Sequence, residues 1–258
     1  HGDIQSYARA KARIWENQDE HDWAVIPLGD RLVAEITLSI KPQKVYVSLE
    51  ECPRGGAGLE GGKLLLDLSG KREVLLPAAE LPLPGRHNIA NAISAAAACG
   101  VLQLSGREIA AGLRTFPGVE HRLELVGRNG RTWINDSKST NVDSLRVALE
   151  AIPGPVWLIA GGRDKGAPYA PLEPLVRDRV ERLLLIGEAA RRIEEELGSA
   201  AAVCVCGTLE KAVQYAAQFA PPGVSVLLSP ACASFDQFEN YEQRGETYRR
   251  LVEENAGI

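Results

Sequence analysis

Val156-Trp157-Leu158-Ile159-Ala160-Gly161-Gly162-Arg163-Asp164-Lys165-Gly166 is the stretch that decides the fold, because an unbroken apolar run ends in paired glycines and then in charge. A short apolar run closed by glycine reads as a strand. The same unit recurs around it. Thr132 to Ile134, Arg182 to Ile186, Val203 to Val205 and Val224 to Leu228 are further strand candidates. Val142 to Ala151, Ala189 to Leu197, Leu209 to Phe219 and roughly Tyr241 to Glu254 read as the helices around and after them. Apolar runs alternating with amphipathic helices are the mark of βαβ units, so an α/β fold with a mostly parallel sheet is expected. This pattern starts after Phe116-Pro117-Gly118, and a domain boundary is placed near Val119 to Arg122.

Upstream of that boundary the pattern differs. Tyr7 to Asn17 carries Tyr7, Ala10, Ile14 and Trp15 at helical spacing. Trp23 to Ile26 is a strand candidate, followed by the runs Arg31 to Ile40, Lys44 to Leu49, Lys63 to Leu68 and Glu73 to Leu76. Glycine, proline and charged residues separate these runs, which predicts a small antiparallel β section. Asn88 to Cys99 reads as a helix with Gly100 as its stop.

The chain has 258 residues, 45% of them hydrophobic and 24% charged, enough for two modest domains. A net charge of -5 argues against nucleic acid or an anionic membrane as the main partner. The longest apolar stretch, Ile89 to Leu104, is broken by Asn91 and Ser94 and falls short of the roughly 20 residues that cross a bilayer. No signal-peptide pattern is read at the start. Cys52, Cys99, Cys204, Cys206 and Cys232 fit no zinc or disulfide framework, so reduced thiols and a cytoplasmic location are expected. The absence of methionine leads to the expectation that this is a piece of a longer chain.

Three strands run into loops of unusual chemistry: Asn135 to Asn141, Gly161 to Gly166 and Ser229 to Phe238. In an open parallel sheet such loops emerge at the carboxyl ends of the strands, where ligands bind. Each loop alone is equally an ordinary polar connection, and the Gly-Gly pair an ordinary turn. Together they bring Lys138, Thr140, Lys165 and Ser234 to one edge, where ammonium and hydroxyl donors suit a small carboxylate or phosphate. The residues by themselves reach an anion-binding α/β domain and give no reaction.

His87-Asn88-Ile89-Ala90-Asn91-Ala92, Glu120-His121-Arg122, Trp133 to Asn141, Leu228 to Phe238 and the ending Gln243-Arg244-Gly245 resemble the Mur ligases in order and spacing. The resemblance implies part of the family's central ATPase domain over residues 1–118 and a Rossmann-like, amino-acid-binding C-terminal domain over 119–258. It implies an ATP-dependent acid–amino-acid ligase that joins D-glutamate to UDP-N-acetylmuramoyl-L-alanine through an acyl phosphate, in cytoplasmic peptidoglycan synthesis. ATP and Mg²⁺ are the implied cofactors, and a monomer is expected. By the same resemblance Asn88, Asn91, Arg122 and Asp136 bind ATP. Lys138, Thr140, Lys165, Ser234, Phe235 and Tyr241 bind D-glutamate, and Lys11, Lys138 and Asp136 serve catalysis. Lys11 matches a family lysine whose carbamylated form ligates Mg²⁺, although an exposed helix lysine is the plainer reading of the residue.

The pattern departs from the family in one large respect: there is no G-x-x-x-x-G-K-[ST] segment. Between Gly58 and Gly62 stand only three residues, and Leu64 follows Lys63. The chain is therefore expected to begin partway through the central domain and to be inactive alone. Two other readings stay open. One is another Mur or folylpolyglutamate-type ligase, although no Asp-Asn-Pro-Arg motif is present; the other is a non-catalytic Rossmann-like anion-binding module.

Overall fold

The computed structural model describes residues 3–68 and 70–257. These divide into two compact units, one up to Pro117 and one from Gly118 onward. The first unit contains α1 (Ile4–Ala12), β1 (Trp23–Pro27), α2 (Arg31–Ile36), β2 (Gln43–Ser48), β3 (Gly56–Glu60), β4 (Lys63–Leu68), β5 (Lys71–Pro77), α3 (Arg86–Val101) and α4 (Gly106–Thr115). Its five strands lie in the order β1-β2-β3-β4-β5. Ala92, Ile93, Ala96 and Ala97 of α3, with Ile109 and Ala110 of α4, cover Val45, Val47, Leu64, Leu66 and Leu76 of the sheet. The small side chains of α3 let its backbone come close to the strands.

Two expectations for this unit are corrected. The run from Arg31 is not a strand. The Asp30 carboxylate accepts hydrogen bonds from Leu32 N at 2.8 Å and Val33 N at 3.0 Å, which caps a short helix in its place. The sheet is mixed, not antiparallel: β1–β2 and β2–β3 are parallel, and only β3–β4 and β4–β5 run antiparallel. Helix α2 is the crossover that allows the first parallel pair. β3 was hidden by its glycines, and they are required by close backbone approach. A Cβ at Gly58 would collide with the Glu51 carbonyl oxygen.

The second unit contains β6 (Glu124–Arg128), β7 (Thr132–Asn135), α5 (Val142–Ala151), β8 (Val156–Gly161), α6 (Glu173–Arg179), β9 (Val180–Ile186), α7 (Ala190–Leu197), β10 (Ala202–Gly207), α8 (Leu209–Phe219), β11 (Ser225–Leu228) and α9 (Tyr241–Ala256). The sheet order is β10-β9-β8-β11-β7-β6, parallel throughout except for β6. The expected α/β class with a mostly parallel sheet is what forms. Alternate side chains go to opposite faces. Leu158, Ala160, Leu183, Leu185 and Leu227 pack with Leu145, Leu149, Val176 and Ile193 of α5, α6 and α7. Trp157, Ile159, Leu184, Val226 and Leu228 pack with Ala212, Val213, Tyr248 and Val252 of α8 and α9. This two-sided burial makes three layers and leaves the strand ends as the place for polar chemistry.

Paired glycine substitutions test the first unit. Gly58→Ala forces a methyl into the Glu51 carbonyl and should cost about 1–3 kcal/mol. Gly112→Ala in α4, where a Cβ would meet nothing within 4 Å, should stabilise by about 0.5–1 kcal/mol. Urea unfolding of the two variants reads both signs, and equal midpoints would refute the packing of β3.

Candidate functional site

The chain leaves β7, enters β8 two positions away, runs outward through β9 and β10, and then returns to insert β11 between β8 and β7. The loops after these three adjacent strands therefore open at one edge, on either side of a reversal in strand order, where an open α/β sheet forms its crevice.

Backbone pairing ties the β8 and β11 loops together. Gly161 N donates to Pro230 O at 2.9 Å, and Arg163 and Ala233 exchange N–H···O bonds at 2.8 and 3.1 Å. Gly161 and Gly162 have φ of 123° and 135°, and a Cβ on either would strike backbone, of Ile186 and Ala233 respectively. The paired glycines are a steric requirement of this closure.

A buried arginine joins the remaining loop. Arg244, 1% exposed on α9, donates from Nε to Ser137 Oγ at 3.0 Å and from Nη2 to Ser137 O at 2.8 Å. Nη1 and Nη2 both reach Cys232 O at 3.2 Å. Ser137 Oγ in turn donates to Tyr241 O at 2.8 Å. Burial pulls the Arg244 pKa down to about 10. Next to it, a Cβ on Gly245 would enter the ring of His121, so glycine lets that buried ring pack against α9. Asn135 Nδ2 lies 3.0 Å from His121 Nδ1, 3.0 Å from Glu124 Oε2 and 3.2 Å from Gly245 O, which fixes the start of the first loop.

On this frame sit the residues expected at the site. Lys165, exposed on the β8 loop, donates from Nζ to Thr140 Oγ1 on the β7 loop at 3.3 Å. Lys138 Nζ lies 5.4 Å from the centroid of the Tyr241 ring. Among the described residues neither lysine forms an ion pair, nor does the exposed Arg122. Ser234 is buried and its carbonyl accepts from Gln237 N and Phe238 N, whereas Phe235 is largely exposed. Asp136 is buried: Oδ1 accepts from Leu123 N at 3.2 Å and Oδ2 from Ser229 Oγ at 2.8 Å. Burial drives its carboxyl up to about 7, against the pull of Ser229, the Leu123 N–H and Arg122. In the first unit, Asn91 Nδ2 lies 3.5 Å from Asn88 Oδ1, so the two carboxamides share one face of α3. Lys11 is exposed in the last turn of α1, its Nζ 5.3 Å from the Tyr7 ring centroid. Arg244, Ser137, Ser229 and Asn135 carry the frame and were assigned no role by sequence reading. The one trace of them was an arginine beside a glycine in the ending Gln243-Arg244-Gly245.

Comparison with known proteins now adds to this geometry. A family model described as the Mur ligase middle domain matches residues 1–99, and one described as the Mur ligase glutamate ligase domain matches residues 121–232. The chain belongs to the Mur ligase family. A Salinibacter ruber protein named UDP-N-acetylmuramoylalanine–D-glutamate ligase is 43% identical over 97% of this chain and 56% of its own length. A Solibacter usitatus protein of the same name is 42% identical over 98% of this chain and 56% of its own length. The chain thus spans little more than half the length of these curated relatives. A solved pseudomurein peptide ligase type C from Methanothermus fervidus superposes with a TM-score of 0.71 at 18% identity, over 98% of this chain and 60% of that one, and shows the same fold.

Asp136 gives the site a pH signature. The folded state favours its protonated form, so its stabilising contribution is complete below the ordinary carboxyl value and is lost as pH rises towards about 7. A shift of that size corresponds to at most about 4 kcal/mol. Between about pH 4 and about pH 7 the urea midpoint of the wild type should fall relative to Asp136→Asn, whose side chain stays neutral. Parallel pH profiles for the two proteins would refute this.

Proposed function

We propose that this chain is part of an ATP-dependent ligase that joins D-glutamate to UDP-N-acetylmuramoyl-L-alanine. The observation that carries the reading is the Lys165–Thr140 contact, 3.3 Å long, with Lys138 on the same loop as Thr140; among the described residues neither ammonium is in an ion pair, and the Glu242 carboxylate acts on Lys138 only at longer range. A dicarboxylic amino acid supplies the missing negative charge at two points. The names of the relatives and the Gln243-Arg244-Gly245 ending favour D-glutamate among such acids. The reading takes the enzyme as a cytoplasmic monomer.

In this reading Lys165 and Ser234 hold the side-chain carboxylate, with Phe235 and Tyr241 flanking it. Lys138 and Thr140 hold the α-carboxylate and orient the amine. Fixing a nucleophile in this way removes much of the entropic part of the barrier. The Asn88 and Asn91 carboxamides offer both donors and acceptors, which suits an adenine edge. Arg122 and Asp136 would lie towards the phosphate and ribose. ATP would supply the phosphoryl group that activates the substrate carboxylate. For Mg²⁺ the fit is incomplete: among the described residues no three His, Cys, Asp or Glu side chains are grouped to hold a metal. Lys11, once carbamylated, would offer one oxygen ligand of the type Mg²⁺ takes.

The test is D-glutamate-dependent phosphate release from ATP with UDP-N-acetylmuramoyl-L-alanine, on this sequence joined to the upstream sequence of its own gene. Turnover is expected there and none from the 258-residue chain alone, which lacks a P-loop segment. Lys165→Ala should cost about 1.5–3 kcal/mol in D-glutamate binding, raising the KM for D-glutamate more than that for ATP. Equal effects on both substrates would count against the assignment. Lys11→Ala should abolish turnover, with partial rescue by added acetate. Normal activity would make Lys11 an ordinary surface lysine.

A further inference from the structure

Cys204 and Cys206 stand two residues apart on β10, at the open edge of the six-stranded sheet. Residues spaced in this way project from one face of a strand. Here it is the face packed against Trp157, Leu184 and Val213, while Val205 between them is exposed on the other. Both thiols are free and half-buried, and their sulfurs lie 3.7 Å apart. The register with β9 slips between Val205 and Gly207, so Cys206 sits in the irregularity without a Cα partner.

Two uses of a cysteine pair place different demands on the sulfurs. A disulfide needs sulfurs about 2.05 Å apart and β-carbons about 3.5–4.5 Å apart. At 3.7 Å the two sulfurs are in contact but not bonded, and a disulfide would draw them closer together. Two thiolates on one tetrahedral centre, with bonds of about 2.3 Å, place their sulfurs about 3.8 Å apart. The Cys206 thiol donates to Cys204 Sγ at 3.7 Å, a contact distance from which one centre can take both sulfurs with little movement of β10.

We propose that Cys204 and Cys206 form a dithiol chelate for a thiophilic metal or metalloid centre, separate from the anion site. Among the described residues no third His, Cys, Asp or Glu joins them. A four-coordinate ion such as Zn²⁺ would have to complete its shell from solvent. An organic trivalent arsenical needs two sulfurs and its own carbon, and is the better match. With an arsenoxide, two As–S bonds form, and the oxygen leaves as water with the two thiol protons; nothing is oxidised or reduced. With Zn²⁺, two Zn–S bonds form and two protons pass to solvent.

The test counts reactive thiols on the folded, reduced chain with a chromogenic disulfide reagent, before and after one equivalent of phenylarsine oxide. Two thiols per chain should be lost, and 2,3-dimercaptopropanol should restore them. Cys204→Ser and Cys206→Ser, each nearly isosteric, should lose none. A parallel titration with Zn²⁺ against a chromophoric chelator should show weaker binding, abolished by the same substitutions. No loss of thiols at one equivalent, or a loss that persists in either single variant, overturns the proposal. None of these outcomes depends on whether the chain ligates D-glutamate.

Discussion

Arg244 is a positive charge placed where water does not reach, and among the described residues no carboxylate hydrogen-bonds to it. Removing a guanidinium from water costs several kcal/mol unless its donors are satisfied. Here they are satisfied by the hydroxyl and carbonyl of Ser137 and by the carbonyl of Cys232. Ser137 follows β7 and Cys232 follows β11, so satisfying the arginine requires both loops to be in place at once. A carboxylate partner would have released the loops from that duty. The guanidinium, bonded to neutral oxygens, serves as a cross-link whose integrity depends on the shape of the site edge.

The rest of the edge follows from steric demands of the same kind. Zipping Arg163 to Ala233 brings two backbones together at Gly162, where only hydrogen fits. Packing His121 against α9 needs a bare α-carbon at Gly245. These closures tie down the loops that carry Lys138, Thr140 and Lys165. Rigid backbone beneath long cationic side chains is what a site of this kind needs to bind a small acid without first ordering itself.

The central strands were legible because both their faces are buried: Trp157 and Ile159 go one way and Leu158 and Ala160 the other, so the run is apolar throughout. β6 carries Glu124 and Arg128 at an edge and gave no such run, and α6 is only seven residues long with proline near its start. α2 fell to its brevity, since six residues hold too little helical period to outvote β-branched side chains. At the site, the lysines, Thr140 and Ser234 could be singled out as chemistry-bearing residues at strand ends. Arg244 could not. On an amphipathic helix it reads as one more surface arginine, and its burial is created by a loop 107 residues away in sequence.

β11 is the last strand of the second unit to be made and lies in the middle of its sheet. Until Ser225–Leu228 arrives, β7 and β8 have no strand to join them, and each shows an open, apolar edge. Synthesis therefore delivers the keystone at the end. A nascent chain that has released everything up to α8 lacks both α9 and the strand that joins the two halves of the sheet. Folding of this unit is bound to long-range pairing, with the slow closure and the exposure to aggregation that such pairing brings. This half of the protein cannot close its sheet until Ser225–Leu228 has left the ribosome.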